Sequence, residues 1–148
     1  LWGFYASQET TLVSPAMFEA CMFNYQLPLM EKFGLTAYGC CEDLSRKIPI
    51  LRTCTTLRRI AVTPVADIRA CAEAIGTDYV ISWRPNPSTQ VCNGWDPQRV
   101  RDTIREGLQV FRGQHMDITL KDVQTVEHEP WRLAAWVTIV KDEIEKAG

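Results

Sequence analysis

Short apolar or β-branched runs alternate along the chain with longer stretches whose apolar residues recur every three or four positions. The short runs are Trp2–Ala6, Leu35–Gly39, Arg59–Thr63, Tyr79–Trp83 and Met116–Leu120, each of a length that suits a strand. The stretches between them read as helices. Phe18, Met22, Tyr25 and Leu29 share one helical face, as do Ile68, Cys71, Ala72 and Ile75. Val100, Ile104, Leu108 and Phe111 make a third stripe, and Leu133, Trp136, Val137, Val140 and Ile144 a fourth. Such stripes are expected to pack as core. The segment from Glu42 to Leu51 is a weaker helix candidate.

Punctuation supports the same division. Ser14-Pro15, Thr63-Pro64 and Asp96-Pro97 each set a capping side chain before a proline. The side-chain oxygen accepts from an early helix N–H, and proline suits the first helical position. Glu129-Pro130 is a poorer version of the signal. Pro28 predicts a late kink, and Gly34, Gly76 and Gly113 predict helix ends. Strands alternating with amphipathic helices imply an α/β fold of parallel βα repeats with right-handed crossovers.

Composition narrows the field. The chain has 148 residues, 46% hydrophobic and 23% charged, with a formal net charge of −2. One domain over residues 1–148 is expected, with a sizeable core. Neither nucleic acid nor a membrane is an expected partner at this charge, and no apolar run approaches the roughly 20 residues that span a bilayer. The six cysteines show no disulfide-framework spacing, which favours a reducing cytoplasm. Gly-rich phosphate loops, the Gly-x-Ser-x-Gly elbow and His-Glu-x-x-His are all absent, and His115 and His128 are the only histidines.

In parallel βα folds the chemistry gathers where the loops leave the carboxyl ends of the strands. The residues just past each run are therefore the candidates: Ser7, Gln8 and Glu9; Cys40, Cys41 and Glu42; Arg84 and Asn86; Lys121 and Asp122. Cys40 and Cys41 beside Glu42 could ligate zinc, although neighbours on a strand point to opposite faces, so both sulfurs reach one ion only if the strand has ended. Lys121 could act as an acid or nucleophile oriented by Asp122, or the two could form a plain ion pair. Glu9 is a candidate general base or metal ligand. Arg84 would hold a substrate carboxylate or phosphate through its planar donors.

Several of these segments, in order, carry a family resemblance. They are Ser7-Gln8-Glu9-Thr10, Ser14-Pro15 with Met17-Phe18-Glu19, Tyr25-Gln26-Leu27-Pro28-Leu29, Phe33-Gly34-Leu35, Tyr38-Gly39-Cys40-Cys41-Glu42, Ile48-Pro49-Ile50-Leu51-Arg52, Asp78-Tyr79-Val80-Ile81-Ser82 and Leu120-Lys121-Asp122. Together they resemble the C-terminal half of the uroporphyrinogen-decarboxylase-like superfamily, near its corrinoid-dependent methyltransferases. The resemblance implies the C-terminal portion of a (β/α)8 TIM-type barrel whose N-terminal half is missing here.

It also implies an enzyme that moves a methyl group to or from a corrinoid or a thiol, with a corrinoid-carrying protein as partner and zinc as a candidate cofactor. Tyr38 stands where that family's zinc-binding histidine would be and Cys40 where its first cysteine would be. Cys41, Glu42, Glu9 or His115 would complete the shell. Gln8, Arg84 and Asn86 would contact a small-molecule substrate, and Glu9, Tyr38, Lys121 and Asp122 would carry the chemistry. The alternatives are a decarboxylase-like lyase acting on a tetrapyrrole or other carboxylate, and a non-catalytic partial barrel. Five strands cannot close such a barrel, so a homodimer covering the open sheet is expected.

Overall fold

The computed structural model describes residues 1–148. Strands β1 (Trp2–Tyr5), β2 (Leu35–Tyr38), β3 (Leu57–Val62), β4 (Val80–Trp83) and β5 (Met116–Ile118) form one sheet in the order β1-β2-β3-β4-β5. The sheet is parallel. All five expected strands are present, shifted by at most two residues at their ends. The strand order never reverses, so the switch point of a doubly wound sheet is absent.

The helices are α1 (Pro15–Phe18), α2 (Asn24–Met30), α3 (Ile48–Leu51), α4 (Ile68–Ile75), α5 (Pro97–Val110) and α6 (Trp131–Ala147). Contacts divide the chain into two compact units, Leu1–Trp83 with Gly113–Asp117 and Arg84–Arg112 with Ile118–Gly148. The first holds nearly the whole sheet and helices α1 to α4. Its core is Phe18, Phe23, Met30, Leu44, Ile48, Leu51, Leu57, Ile60 and Ile75, all with 1% exposure or less. Burial of each such side chain contributes roughly 1.5–3 kcal/mol. The second unit packs α5 against α6 around Val100, Ile104, Phe111, Trp136, Ile139 and Val140.

Two of the expected caps form. Ser14 Oγ accepts from Met17 N, and Asp96 Oδ1 accepts from Gln98 N and Arg99 N. The third does not: Asp67, not Thr63, caps α4, accepting from Arg69 N and Ala70 N. Thr63 is drawn away because its hydroxyl donates to Glu42 O.

Two helical faces also differ from expectation. A π-helical turn at Glu19–Phe23 joins α1 to α2. Its extra residue shifts the phase of the helix beyond it. The buried stripe is therefore Phe18, Phe23 and Met30, while Tyr25 and Leu29 face solvent at 73% and 49% exposure. On α6 the buried face is Arg132, Trp136, Ile139, Val140 and Glu143, and Leu133, Val137 and Ile144 are exposed. Charged residues displace apolar ones there because both have ionic partners.

Candidate functional site

The residues after β1 and β2 meet at the carboxyl end of the sheet. β1 pairs in register with β2, Tyr5 opposite Tyr38, and the Gly39 N–H donates to Tyr5 O at 2.8 Å. Gly39 has φ +107°, and a Cβ there would stand 2.7 Å from Leu44 Cδ1 and 2.8 Å from Ala61 Cβ. Only glycine accepts both the conformation and the contact. The chain can thus turn out of β2 and bring Glu42 beneath the loop that leaves β1.

The Glu42 carboxylate is fully buried. Oε1 accepts from Ser7 N at 2.8 Å and Oε2 from Cys40 N at 2.8 Å, so one side chain ties the two post-strand loops together. Around it runs a continuous polar chain. Tyr38 Oη hydrogen-bonds Gln26 Oε1 at 2.6 Å and Ser7 Oγ at 3.0 Å. Gln26 Nε2 donates to Ala6 O at 3.0 Å. Thr10 Oγ1 lies 2.7 Å from Ser7 O and 3.1 Å from Ser7 Oγ. Lys47 Nζ closes the series, donating to Thr10 O at 2.5 Å.

Tyr38 and Lys47 are both buried, at 1% and 3% exposure. Burial pushes the Tyr38 phenol up to about 12, beyond reach as a base near neutrality. Its ring packs edge-on to Phe18 and Phe23, and it is a positioning residue for Ser7 and Gln26. Burial lowers the Lys47 pKa, opposed by the charges of Glu42 and Asp43. Its ammonium also sits 5.0 Å from the centre of the Phe18 ring, a favourable cation–π placement.

Lys47 lines a cleft of about 330 Å³ with Thr11, Leu12, Val13, Ser14, Pro15, Asp43 and Arg46. Lys47 and Arg46 are the lysine and arginine of this set and Asp43 the only acid. Asp43 Oδ1 is occupied by Ser45 N at 2.9 Å. The cleft therefore presents net positive charge and a serine hydroxyl at its wall.

Of the expected site residues, Tyr38, Cys40 and Glu42 fall in this network. Gln8 and Glu9 lie beside it in a 3-10 turn, Gln8–Thr10, with both side chains exposed; the Glu9 charge raises the Tyr38 pKa. Arg84, Asn86, Lys121 and Asp122 belong to the second unit. Arg84 is buried directly after β4. Asn86 serves the backbone, its Oδ1 accepting from Ser88 N at 3.0 Å. Lys121 Nζ and Asp122 Oδ2 form an ion pair at 3.2 Å, the aspartate 55% exposed.

Reading the sequence alone misses Lys47, Thr10, Gln26 and Arg46. A signal for Lys47 exists: Leu44, Lys47, Ile48 and Leu51 follow helical spacing, which sets the lysine on an otherwise apolar face.

The expected zinc ligands do not assemble. Cys40 Sγ and Cys41 Sγ do approach, at 3.6 Å, because β2 has ended at Tyr38. Both Glu42 oxygens, however, are taken by backbone N–H groups. His115 precedes β5, its carbonyl accepting from Ile81 N, and so stands at the amino end of a parallel strand while Cys40 follows a carboxyl end. No three His, Cys, Asp or Glu side chains converge as ligands anywhere. Two thiols without a third donor do not fit a zinc centre. No helix is long and apolar enough to cross a membrane.

The geometry defines a parallel βα sheet with a cationic cleft and a thiol pair past the carboxyl ends of its first two strands. No family model, curated protein or solved structure matches the chain.

Proposed function

We propose that the chain is the substrate-binding portion of a βα enzyme, built as part of a (β/α)8 barrel, that acts as a lyase on a small carboxylate. The cleft carries this reading: Arg46 and a buried Lys47 line about 330 Å³ of space at the end of the sheet where such folds bind ligands. That volume is at the small end of ligand sites. It suits a small organic acid better than a whole tetrapyrrole.

In this mechanism Arg46 holds one carboxylate. The bond to a second carboxyl carbon breaks, carbon dioxide leaves, and the electron pair passes into a carbonyl or ring of the substrate. Lys47 then delivers a proton to carbon and is reprotonated from water. A lysine made more acidic by burial suits that role.

Calorimetric titration with citrate and succinate tests the cleft. Binding should weaken roughly tenfold in Arg46→Gln, the loss of one charge-assisted hydrogen bond. It should also fade with rising pH at a lower pH than an ordinary lysine would set, because Lys47 loses its charge early. Equal binding by wild type and Arg46→Gln would defeat the proposal.

Methyl transfer to or from a thiol is a second reading, favoured by Cys40 and Cys41 at the same rim. Peptide mapping after incubation with methylcobalamin checks it: S-methylation at Cys40 or Cys41 is the expected product, and unmodified thiols would reject it. Either enzyme would bring its own partner copy to the open edge, since β1 leaves Trp2 and Phe4 at 56% and 61% exposure. Light scattering should then give a dimer that Trp2→Glu disperses.

A further inference from the structure

We propose that Cys40 and Cys41 form a reversible dithiol modification site that closes to a disulfide between adjacent residues when a hydroperoxide reaches it. This rests on the thiol pair alone and stands apart from the anion cleft.

The two sulfurs lie 3.6 Å apart, and Cys41 is exposed while Cys40 is half-buried. The other cysteines differ from this pair. Cys54, Cys71 and Cys92 are buried, and burial raises the Cys71 pKa to about 11, which keeps it an unreactive thiol. Cys21 is exposed on the π-helical turn without a neighbouring thiol among its contacts.

Backbone geometry presents the pair. Gly39 turns the chain sharply out of β2, and Glu42 Oε2 holds Cys40 N at 2.8 Å. Cys40 is thereby anchored. Cys41 lies outside any strand or helix, in the bend that runs to Glu42, with its sulfur already 3.6 Å from that of Cys40.

The chemistry balances in two steps. The Cys41 sulfur attacks one peroxide oxygen, the O–O bond breaks, and a sulfenic acid and water (or an alcohol) result. The Cys40 sulfur then attacks the Cys41 sulfur, the S–O bond breaks, and a second water leaves with the Cys40 proton. The protein loses two electrons and two protons, equal to two hydrogen atoms, and the peroxide takes up both electrons.

Neighbouring Cα atoms stand about 3.8 Å apart across a trans peptide, short of the roughly 4.4–6.8 Å usual in disulfides. The ring is therefore strained and easily reduced, which is the behaviour of labile rather than structural disulfides. Closure would also pull on the Cys40 N–H that Glu42 holds, and through Glu42 on the loop at Ser7.

Native alkylation with iodoacetamide, read by peptide mapping, tests the site. Cys21, Cys40 and Cys41 should label in the reduced protein and only Cys21 after brief hydrogen peroxide treatment. The peptide carrying Cys40 and Cys41 should have lost two hydrogens, and dithiothreitol should restore it. Cys40→Ser and Cys41→Ser should each abolish that loss, while Cys21→Ser should not. Phenylarsine oxide, which bridges close dithiols, should be retained by reduced wild type and refused after oxidation, a readout that needs no variant to fold. Sulfinic acid on Cys41, a disulfide-linked dimer, pairing through Cys21, or no reaction would each overturn the proposal. Succinate binding measured on the same samples distinguishes its failure from that of the cleft.

Discussion

Glu42 and Glu143 are both hidden from water, at 0% and 2% exposure, but they are satisfied by opposite means. Glu42, in the sheet-bearing unit, accepts from two backbone N–H groups, those of Ser7 and Cys40. Glu143, on α6, is surrounded by cations: Arg101 at 2.7 Å, Arg105 at 2.5 Å and Lys146 at 3.2 Å. The first carboxylate fixes the course of two loops. The second staples one helix to another. A buried acid held by main chain specifies local geometry near a site, whereas one held by side chains supplies cohesion that salt and acid can weaken.

Substitution at Glu42 should produce the largest effect. Glu42→Ala strands one buried N–H group, that of Ser7, and one part-buried, that of Cys40, each costing about 1–3 kcal/mol, for a total of about 2–6 kcal/mol. Urea denaturation of the sheet unit reads it through the midpoint. The loss should be the same in low and high salt, since dipoles rather than exposed charges are involved. A loss under about 1 kcal/mol would mean that water replaces the carboxylate and that the loops are not fixed by it.

Legibility in the sequence divides along the same line. The strands are visible as short apolar runs, and the end of β2 is visible too because Leu35–Tyr38 stops at Gly39, which turns the chain out of the strand. Cys40 and Glu42 are visible as candidate site residues because position after a strand is a linear property, whereas Tyr38, the last residue of β2, enters only through the family resemblance. Faces are less visible. The π-helical turn at Glu19–Phe23 adds a residue that a period of 3.6 does not anticipate, so Phe23 replaces Met22 in the core. Arg132 and Glu143 read as solvent-facing because their partners, Glu127, Glu129, Arg101 and Arg105, lie outside their helix. Lys47 escapes notice for a related reason: its acceptor, Thr10 O, lies 37 residues away.

Glu143→Gln should have an intermediate effect, about 1–3 kcal/mol, because it leaves charged donors short of an acceptor. The cations are partly exposed, at 26% for Arg101, 50% for Arg105 and 61% for Lys146, so high salt should shrink this loss while leaving that of Glu42→Ala intact. Acid sharpens the contrast. The Arg105 hydrogen bonds, with those of Arg101 and Lys146, hold the Glu143 carboxyl down at about 2, against 4.5 for the ordinary group. A depressed folded pKa means that the stabilisation is complete above the unfolded value and is lost as pH falls through the window from about 4.5 to about 2. Helical circular dichroism of wild type should thus decline in that window, and Glu143→Gln should decline less. Parallel acid curves would show that other groups govern acid unfolding.

The smallest effect supplies the zero of the scale. Asp78 Oδ2 pairs with Arg52 at 2.7 Å, as close as any ion pair at Glu143 but one, yet the aspartate is 62% exposed and the arginine 40%. Solvent screens such a pair, and holding two side chains in one geometry costs entropy, so its worth is about 0–1 kcal/mol. Arg52 also donates to Ala74 O at 2.8 Å and lies 5.4 Å from the centre of the Tyr79 ring, contacts that Asp78→Asn leaves in place. The variant should therefore unfold in urea within about 0.5 kcal/mol of wild type. If Asp78→Asn cost as much as Glu143→Gln, distance alone would set the worth of an acid here, and the contrast drawn from burial and choice of partner would fail.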